Sequence, residues 1–334
     1  MKIKNIKVWT ADLVNTKPYT IAFKTIDEVL NAFVEITLDN GVTGIGAACP
    51  SEYVTNESFE QCEKALEENN IQFLIGRDIR ELNQLTFEIW KELPKNPAAR
   101  AALDIALYDA YTKFLGVPLV KYLGQKIKSL PTSITIGIKN VDETVKEAQE
   151  YEERGFSVLK VKLGKDLEED IERIVKLREK FGKKFTIRID ANQGYTSAQT
   201  IEFYNRTKSL DVELIEQPLP AKAIEETKKL PADIRKVLAA DESLLTPMSA
   251  YQLVMPPVAT GIFNIKLMKC GGVSQALKIA DIGSLAGVDL FWGCNDESIV
   301  SITAALHAAF ACENTKYIDL DGSLDLSKDI VKGG

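Results

Sequence analysis

Three acids close three consecutive apolar runs: "IRID" ends at Asp190, "ELIE" at Glu216 and "LAAD" at Asp241. Each run reads as a strand, and neighbouring strands lie about 5 Å apart. Three carboxylates that close repel one another unless a cation neutralises them. All-oxygen ligation suits a hard divalent ion, with Mg²⁺ preferred and Mn²⁺ as the alternative. A single acid at a strand end could be a solvated loop charge or a helix N-cap. Three in register point to a metal.

Lysines flank these acids. "VLKVKL" places Lys160 and Lys162 two apart, and residues i and i+2 of a strand share a face. Burying two ammonium groups side by side is costly; taken alone, the pair would read as lysines snorkelling from a strand edge. One strand beyond Asp241, "FNIKLMKCGG" carries Lys266. A carboxylate substrate held by a divalent ion between Lys162 and Lys266 would meet a base on each face of its α-carbon. The ion would supply the electrostatic stabilisation an enolate needs. A lysine must be neutral to act as base, so the expectation is that burial and the neighbouring Lys160 lower the pKa of Lys162. In that reading Lys160 tunes and Lys162 reacts.

The elements that must position these groups follow from periodicity. After "LPTSIT", short β-branched runs alternate with amphipathic helical runs, which implies a parallel sheet. Polar residues end successive strands at Lys162, Asp190, Glu216, Asp241, Lys266, Cys294 and Asp319, in steps of 25 to 28 residues. That is one βα unit per step. Eight such strands, counting "SITIGI", close a barrel, whose functional groups gather at the C-terminal strand ends. An open doubly wound sheet would instead need a glycine-rich phosphate loop opening a helix, and "GIGAA" does not supply one. Before this region, "KIKNIKVWTADL" and "AFVEITLDNGVTGIGAA" read as two antiparallel strands with a turn at "DNG". Helical patterns follow, among them "PAARAALDIALYDAYTKFLG", which starts at a proline and stops at a glycine.

Composition narrows the classes. The 334 residues carry a net charge of −7, with 45% hydrophobic and 27% charged residues. With no basic face, nucleic acid is excluded as a partner. No apolar run reaches membrane-spanning length, and the N-terminus lacks the apolar region of a signal peptide. Cys49, Cys62, Cys270, Cys294 and Cys312 are odd in number and widely spaced, which predicts free thiols in a reducing, cytoplasmic compartment. The only histidine, His307, falls in a helical run and reads as structural.

Together "KVK", "DANQ", "EQP", "DES" and "KLMKCGG" resemble the enolase superfamily, in its muconate-lactonising-enzyme-like branch. The handling of α-protons by a lysine base beside Mg²⁺ is a property of that superfamily. The resemblance implies an α/β fold: a modified (β/α)₇β TIM barrel over residues 126–320 beneath an α+β capping domain over residues 1–125. It leaves a C-terminal segment, 321–334, that reads as short of a return to the cap. It implies Asp190, Glu216 and Asp241 as metal ligands, with Lys162 and Lys266 as the acid/base pair. "YIDLDGS" places Asp319 and Asp321 as an Asp-x-Asp at the end of the eighth strand, similar to dipeptide epimerases, where the pair holds the substrate α-ammonium. A lyase or cycloisomerase of the same branch, such as o-succinylbenzoate synthase or muconate cycloisomerase, tolerates the same lysines, but its substrate brings no ammonium to that pair.

Substrate choice divides two ways. Lys24 lies where related epimerases can hold a basic group, which suits an acidic dipeptide such as Ala-Glu. Asp296 and Glu297 in "WGCNDES", together with Glu52, would favour a cationic side chain. The reading leans to cationic or broad dipeptides. The partners expected are a small-molecule dipeptide and further copies of the same chain, with no nucleic acid and no membrane.

Overall fold

The computed structural model describes residues 1–14, 19–20, 25–26 and 29–332, and Lys24 lies outside them. "DNG" folds the second quoted segment back on itself, so three strands stand where the sequence suggested two: Ile3–Asp12, Leu30–Leu38 and Thr43–Ala48. They form an antiparallel sheet with Leu30–Leu38 in the middle. The middle strand carries most of the sheet's large apolar side chains, and it and Thr43–Ala48 are far more buried than Ile3–Asp12.

The long helix Pro97–Leu115 lies across this sheet, begun by Pro97 and ended at Gly116 in the left-handed region. It is alanine-rich and buried along most of its length, so it touches backbone closely. "GIGAA" explains itself here. A Cβ on Gly46 would sit 1.9 Å from the Ala102 carbonyl oxygen, so these glycines admit the helix and have nothing to do with phosphate. Gly46→Ala is expected to destabilise the fold by about 1–3 kcal/mol through overpacking, read as a lower thermal midpoint with a native-like circular dichroism spectrum.

Eight parallel strands make the second body: Ile134–Ile136, Val158–Lys162, Thr186–Asp190, Val212–Glu216, Leu238–Ala240, Ile262–Ile265, Asp289–Gly293 and Thr315–Asp319, each paired to the next in chain order. The sheet is nearly closed. First and eighth strands meet at a single parallel bridge, Thr132 to Ile318, reinforced by Ser133 N donating to the Ile318 carbonyl at 3.1 Å. Side chains complete that seam. Ser133 Oγ donates to Asp319 at 2.5 Å, Thr135 N to Asp321 at 2.9 Å and Arg188 Nη1 to the Ile318 carbonyl at 2.9 Å. The amphipathic helices expected between strands are present, such as Leu167–Phe181, whose apolar stripe Ile171, Ile174, Leu177 and Phe181 faces the barrel.

The cap shares an apolar core with the later barrel elements, whereas the earlier strands and their helices pack around a second one. At their junction a Cβ on Gly272 would sit 2.4 Å from Asp104 Oδ1 of the long cap helix, and Asp104 accepts from Val273 N at 2.6 Å. The C-terminal segment also reaches the cap, with Ser327 N donating to the Val14 carbonyl at 2.8 Å. Among the described residues no helix is long and apolar enough to cross a membrane. All five cysteines are free thiols, as their spacing predicts.

Candidate active site

Parallel pairing puts the strand ends in register: Lys162 opposite Asp190, and Asp190 opposite Glu216. Asp190, Glu216 and Asp241 are fully buried, and each offers a carboxylate oxygen within 4.8 Å of the other two. Three consecutive strands thus bring the acids at or just past their C-terminal ends to one point.

The lysines line the same space. Lys160 Nζ lies 2.7 Å from Glu216, 2.8 Å from Asp319 and 3.3 Å from Asp190. Lys162 Nζ donates to Asp190 at 2.6 Å, and Lys266 Nζ to Asp241 Oδ2 at 2.8 Å. Lys162 and Lys266 therefore stand at the two ends of the row of acids. That is why one strand can bury two ammonium groups: each faces carboxylates instead of the other lysine alone.

Charge in this cluster behaves differently from the expectation for Lys162. Burial is the largest influence on it and pulls its pKa down, with Lys160 adding to the pull. Asp190 and Glu216 outweigh both, and the ammonium is held above its ordinary range. Lys160 and Lys266 are likewise driven down by burial but raised further by the acids around them. The acids mirror this. Burial pushes Asp190 and Asp241 up, yet their lysines win and hold both below the usual carboxylate range. Glu216 is left over: burial, then Asp190, push it up to about 8. Burial, more than any lack of lysines, drives that rise. Three carboxylates within 4.8 Å of one another form an all-oxygen donor set that fits a divalent cation and suits Mg²⁺.

Several contributors escaped the sequence reading. Lys269 is buried against Asp241. Asn264 Nδ2 donates to Glu216 Oε1 at 2.6 Å. Gln217 Oε1 accepts from Asp241 N at 2.9 Å and Ser243 N at 3.1 Å. Asn192, Gln193 and Gln217, directly after two acid-bearing strands, adopt positive φ of 41°, 67° and 35°, a strained conformation that gathers at functional sites. "DANQ" and "EQP" carried this signal only as motif letters, because conformation is not visible in residue types.

Asp319 and Asp321 reach the site but differ. Asp319 is held below its ordinary range because Lys160, backed by Ser133 and Arg188, outweighs burial. Asp321 is pushed up to about 7, first by burial and then by Asp319, with Asp296 adding to the rise. Asp296 thus lies near Asp321 at the barrel mouth. The seventh-strand loop is docked on the cap: Cys49 Sγ donates to the Asp296 carbonyl at 3.1 Å and Asn295 Nδ2 to the Cys49 carbonyl at 3.1 Å. Glu297 is buried and accepts from Asn295 N at 2.9 Å and from Ser301 Oγ, so it braces this loop instead of lining the mouth. Glu52 is exposed on the cap loop and is not among the buried charges. His307, half-buried on Ile299–Ala311, has its pKa lowered by burial.

A capped parallel barrel with three clustered acids between two lysines defines a class: a barrel enzyme that pairs an oxygen-rich cation site with acid/base groups. The sequence matches the family profile "Mandelate racemase / muconate lactonizing enzyme, N-terminal domain" over residues 5–124 and "Enolase C-terminal domain-like" over residues 143–334. The chain belongs to the mandelate racemase/muconate lactonizing enzyme family of the enolase superfamily. It is 54% identical over 334 residues to the L-Lys-D/L-Arg epimerase of Desulforapulum autotrophicum, covering 100% of this chain and 94% of that one. The L-Ala-D/L-Glu epimerase of Clostridium acetobutylicum is 35% identical over 336 residues, with 100% and 94% covered. The dipeptide epimerase of Methylococcus capsulatus, solved with Mg and the dipeptide L-Arg-D-Lys, superposes with a TM-score of 0.98 at 50% identity, covering 100% of this chain and 94% of that one.

Proposed function

We propose that this chain is a Mg²⁺-dependent dipeptide epimerase that inverts the α-carbon of the C-terminal residue by 1,1-proton transfer, with a preference for cationic dipeptides. One observation carries it: Lys162 and Lys266 bracket the buried Asp190, Glu216 and Asp241. The acids would hold the ion, whose positive charge would stabilise the enolate formed when the α-proton leaves. A cation beside Asp190 and Glu216 would offset the two acids that hold Lys162 above its ordinary range, so that neutral Lys162 Nζ takes the proton from one epimer and the Lys266 ammonium gives one to the opposite face. The roles exchange in the reverse direction. Lys160, buried between Glu216 and Asp319, keeps a fixed positive charge beside the reacting carboxylate. Asp319 and Asp321 would receive the α-ammonium of the substrate.

The names of the more similar relatives support the epimerase over a lyase, and L-Lys-D/L-Arg over L-Ala-D/L-Glu. The acidic mouth supports the same choice: Asp296 adds to the negative field at Asp321. Glu52, on the cap loop docked against the Asp296 loop, extends it, whereas Lys24 would oppose it. In this reading the capping domain spans 1–125, the barrel 126–320 and the closing segment 321–334, and the enzyme works as a homo-oligomer in the cytoplasm. Light scattering measures the assembly.

The test is a dipeptide library incubated with enzyme and Mg²⁺ in D₂O and read by mass spectrometry. Deuterium should enter the C-terminal residue of Lys- and Arg-containing dipeptides first. Exclusive labelling of Ala-Glu would instead assign the pocket to Lys24, and no labelling of any dipeptide would end the epimerase reading. Asp296→Asn is expected to lower kcat/KM for Lys–Arg dipeptides by about ten- to a hundredfold while leaving Ala-Ala within about twofold, the signature of one charge contact removed from a half-buried pair. Equal losses on both would remove Asp296 from the account.

A further inference from the structure

Lys269 is the fourth buried lysine of the site, and the proton-transfer scheme does not use it. It projects from the one-turn helix Leu267–Cys270 that follows Lys266. That helix is fixed on both sides. Met268 is fully buried and its Sδ accepts from Cys49 N at 3.2 Å, while Gly271 and Gly272 press against Arg100 and Asp104 of the cap helix.

The Lys269 ammonium has three protons and three acceptors. These are the Asp241 carbonyl at 2.7 Å, the Asn264 carbonyl at 3.0 Å, and Asp241 Oδ1 at closer range. With every donor engaged on an anchored helix, Lys269 grips both the backbone and one carboxylate oxygen of Asp241. The preceding peptide unit is tied by Gln217, which accepts from Asp241 N. Asp241 Oδ2 is bound differently, by Lys266 alone among the described residues. Asp241 therefore has one oxygen committed to a saturated clamp and one facing a lysine with a single bond to give up.

We propose that Lys269 makes Asp241 a one-oxygen ligand and thereby sets the preference of the site for a small divalent cation, Mg²⁺ over Ca²⁺. The physical reason lies in coordination. Mg²⁺ demands near-ideal octahedral geometry, whereas Ca²⁺ accepts six to eight oxygens and takes carboxylates through both oxygens. A clamp on Oδ1 denies the two-oxygen mode. The clamp also leaves Lys266 free once Oδ2 is taken, so the same contact that orients the ligand releases the acid/base group. The proposal rests on the reading of Asp190, Glu216 and Asp241 as a cation site.

The test compares affinities. Mg²⁺ and Ca²⁺ dissociation constants are measured by calorimetry for the wild-type protein and for Lys269→Met. Deleting a positive charge shifts both divalent ions by a similar factor, and general loosening weakens both, so the ratio isolates the coordination mode. The expected result is a gain of about tenfold for Ca²⁺ relative to Mg²⁺, in the range that outer ligand partners command. A ratio unchanged within about twofold overturns the proposal while leaving the cation site intact. A wild-type protein that binds neither ion overturns both. Should Lys269→Met fail to fold, wild-type crystals soaked in Mn²⁺, as a Mg²⁺ surrogate, decide the matter. Asp241 ligating through Oδ2 alone, with Oδ1 still on Lys269, supports the clamp; ligation through both oxygens rejects it.

Discussion

Lys162→Ala and Lys266→Ala should each abolish epimerisation, yet each should retain exchange of the α-hydrogen with D₂O from one epimer of the substrate. The two variants should retain it for opposite epimers. The expectation follows from position. Lys162 sits at the Asp190 end of the acidic row and Lys266 at the Asp241 end, so each addresses one face of a carbon held between them. Moving a proton from one face to the other needs both partners, whereas removing and returning it on the same face needs one. Loss of a positioned acid/base group is worth about 10²–10⁴ in rate, so epimerisation should fall by at least that factor. Residual exchange should be slower than wild type too, because deleting an ammonium also alters the field on the neighbouring carboxylate. A variant that epimerises at the wild-type rate would refute the two-base scheme and favour a one-base lyase.

Chelation should produce an effect of similar size by another route. Treatment with EDTA is expected to bring turnover to background, and Mg²⁺ should restore it, with Mn²⁺ as a substitute. Glu216→Gln should do the same irreversibly. Glu216 is the acid that burial and Asp190 drive toward protonation when no cation offsets the cluster, so its charge is the one most dependent on a bound ion. Its amide variant keeps the shape but removes an anionic ligand. Mg²⁺ should also raise the thermal midpoint of the wild-type protein with added concentration, because a ligand that binds only the folded state stabilises it by mass action. That rise should vanish in Glu216→Gln. Activity that survives exhaustive chelation would disprove the metal-dependent mechanism.

Much of the site was legible in residue types because strand periodicity converts spacing into direction. An acid or lysine that ends a strand of a parallel barrel must point near the axis, and a step of one βα unit must place the next one beside it. Asp190, Glu216, Asp241, Lys162 and Lys266 all obey this rule. The rule fails where direction depends on a tertiary partner. Lys269 lies on a helix, not at a strand end, and its direction depends on how that helix docks against the cap at Met268, Gly271 and Gly272. The glycines of "GIGAA" lack a phosphate-loop pattern, but their letters do not reveal that the long helix needs their bare backbone. The direction of the Lys162 shift failed for a different reason. Adjacency to Lys160 is a sequence fact, but the balance of burial against Asp190 and Glu216 is a three-dimensional one.

The seam between the first and eighth strands bears on how such an enzyme can change its diet. Only one backbone bridge joins those strands, and Asp319 helps hold them by accepting from Ser133 while pairing with Lys160. A lineage that altered Asp319 to suit a different substrate would loosen the barrel and unbalance the buried lysine in the same step. Asp319 should therefore stay fixed across descendants that no longer share a substrate, and natural variation in substrate range should accumulate at positions away from the seam.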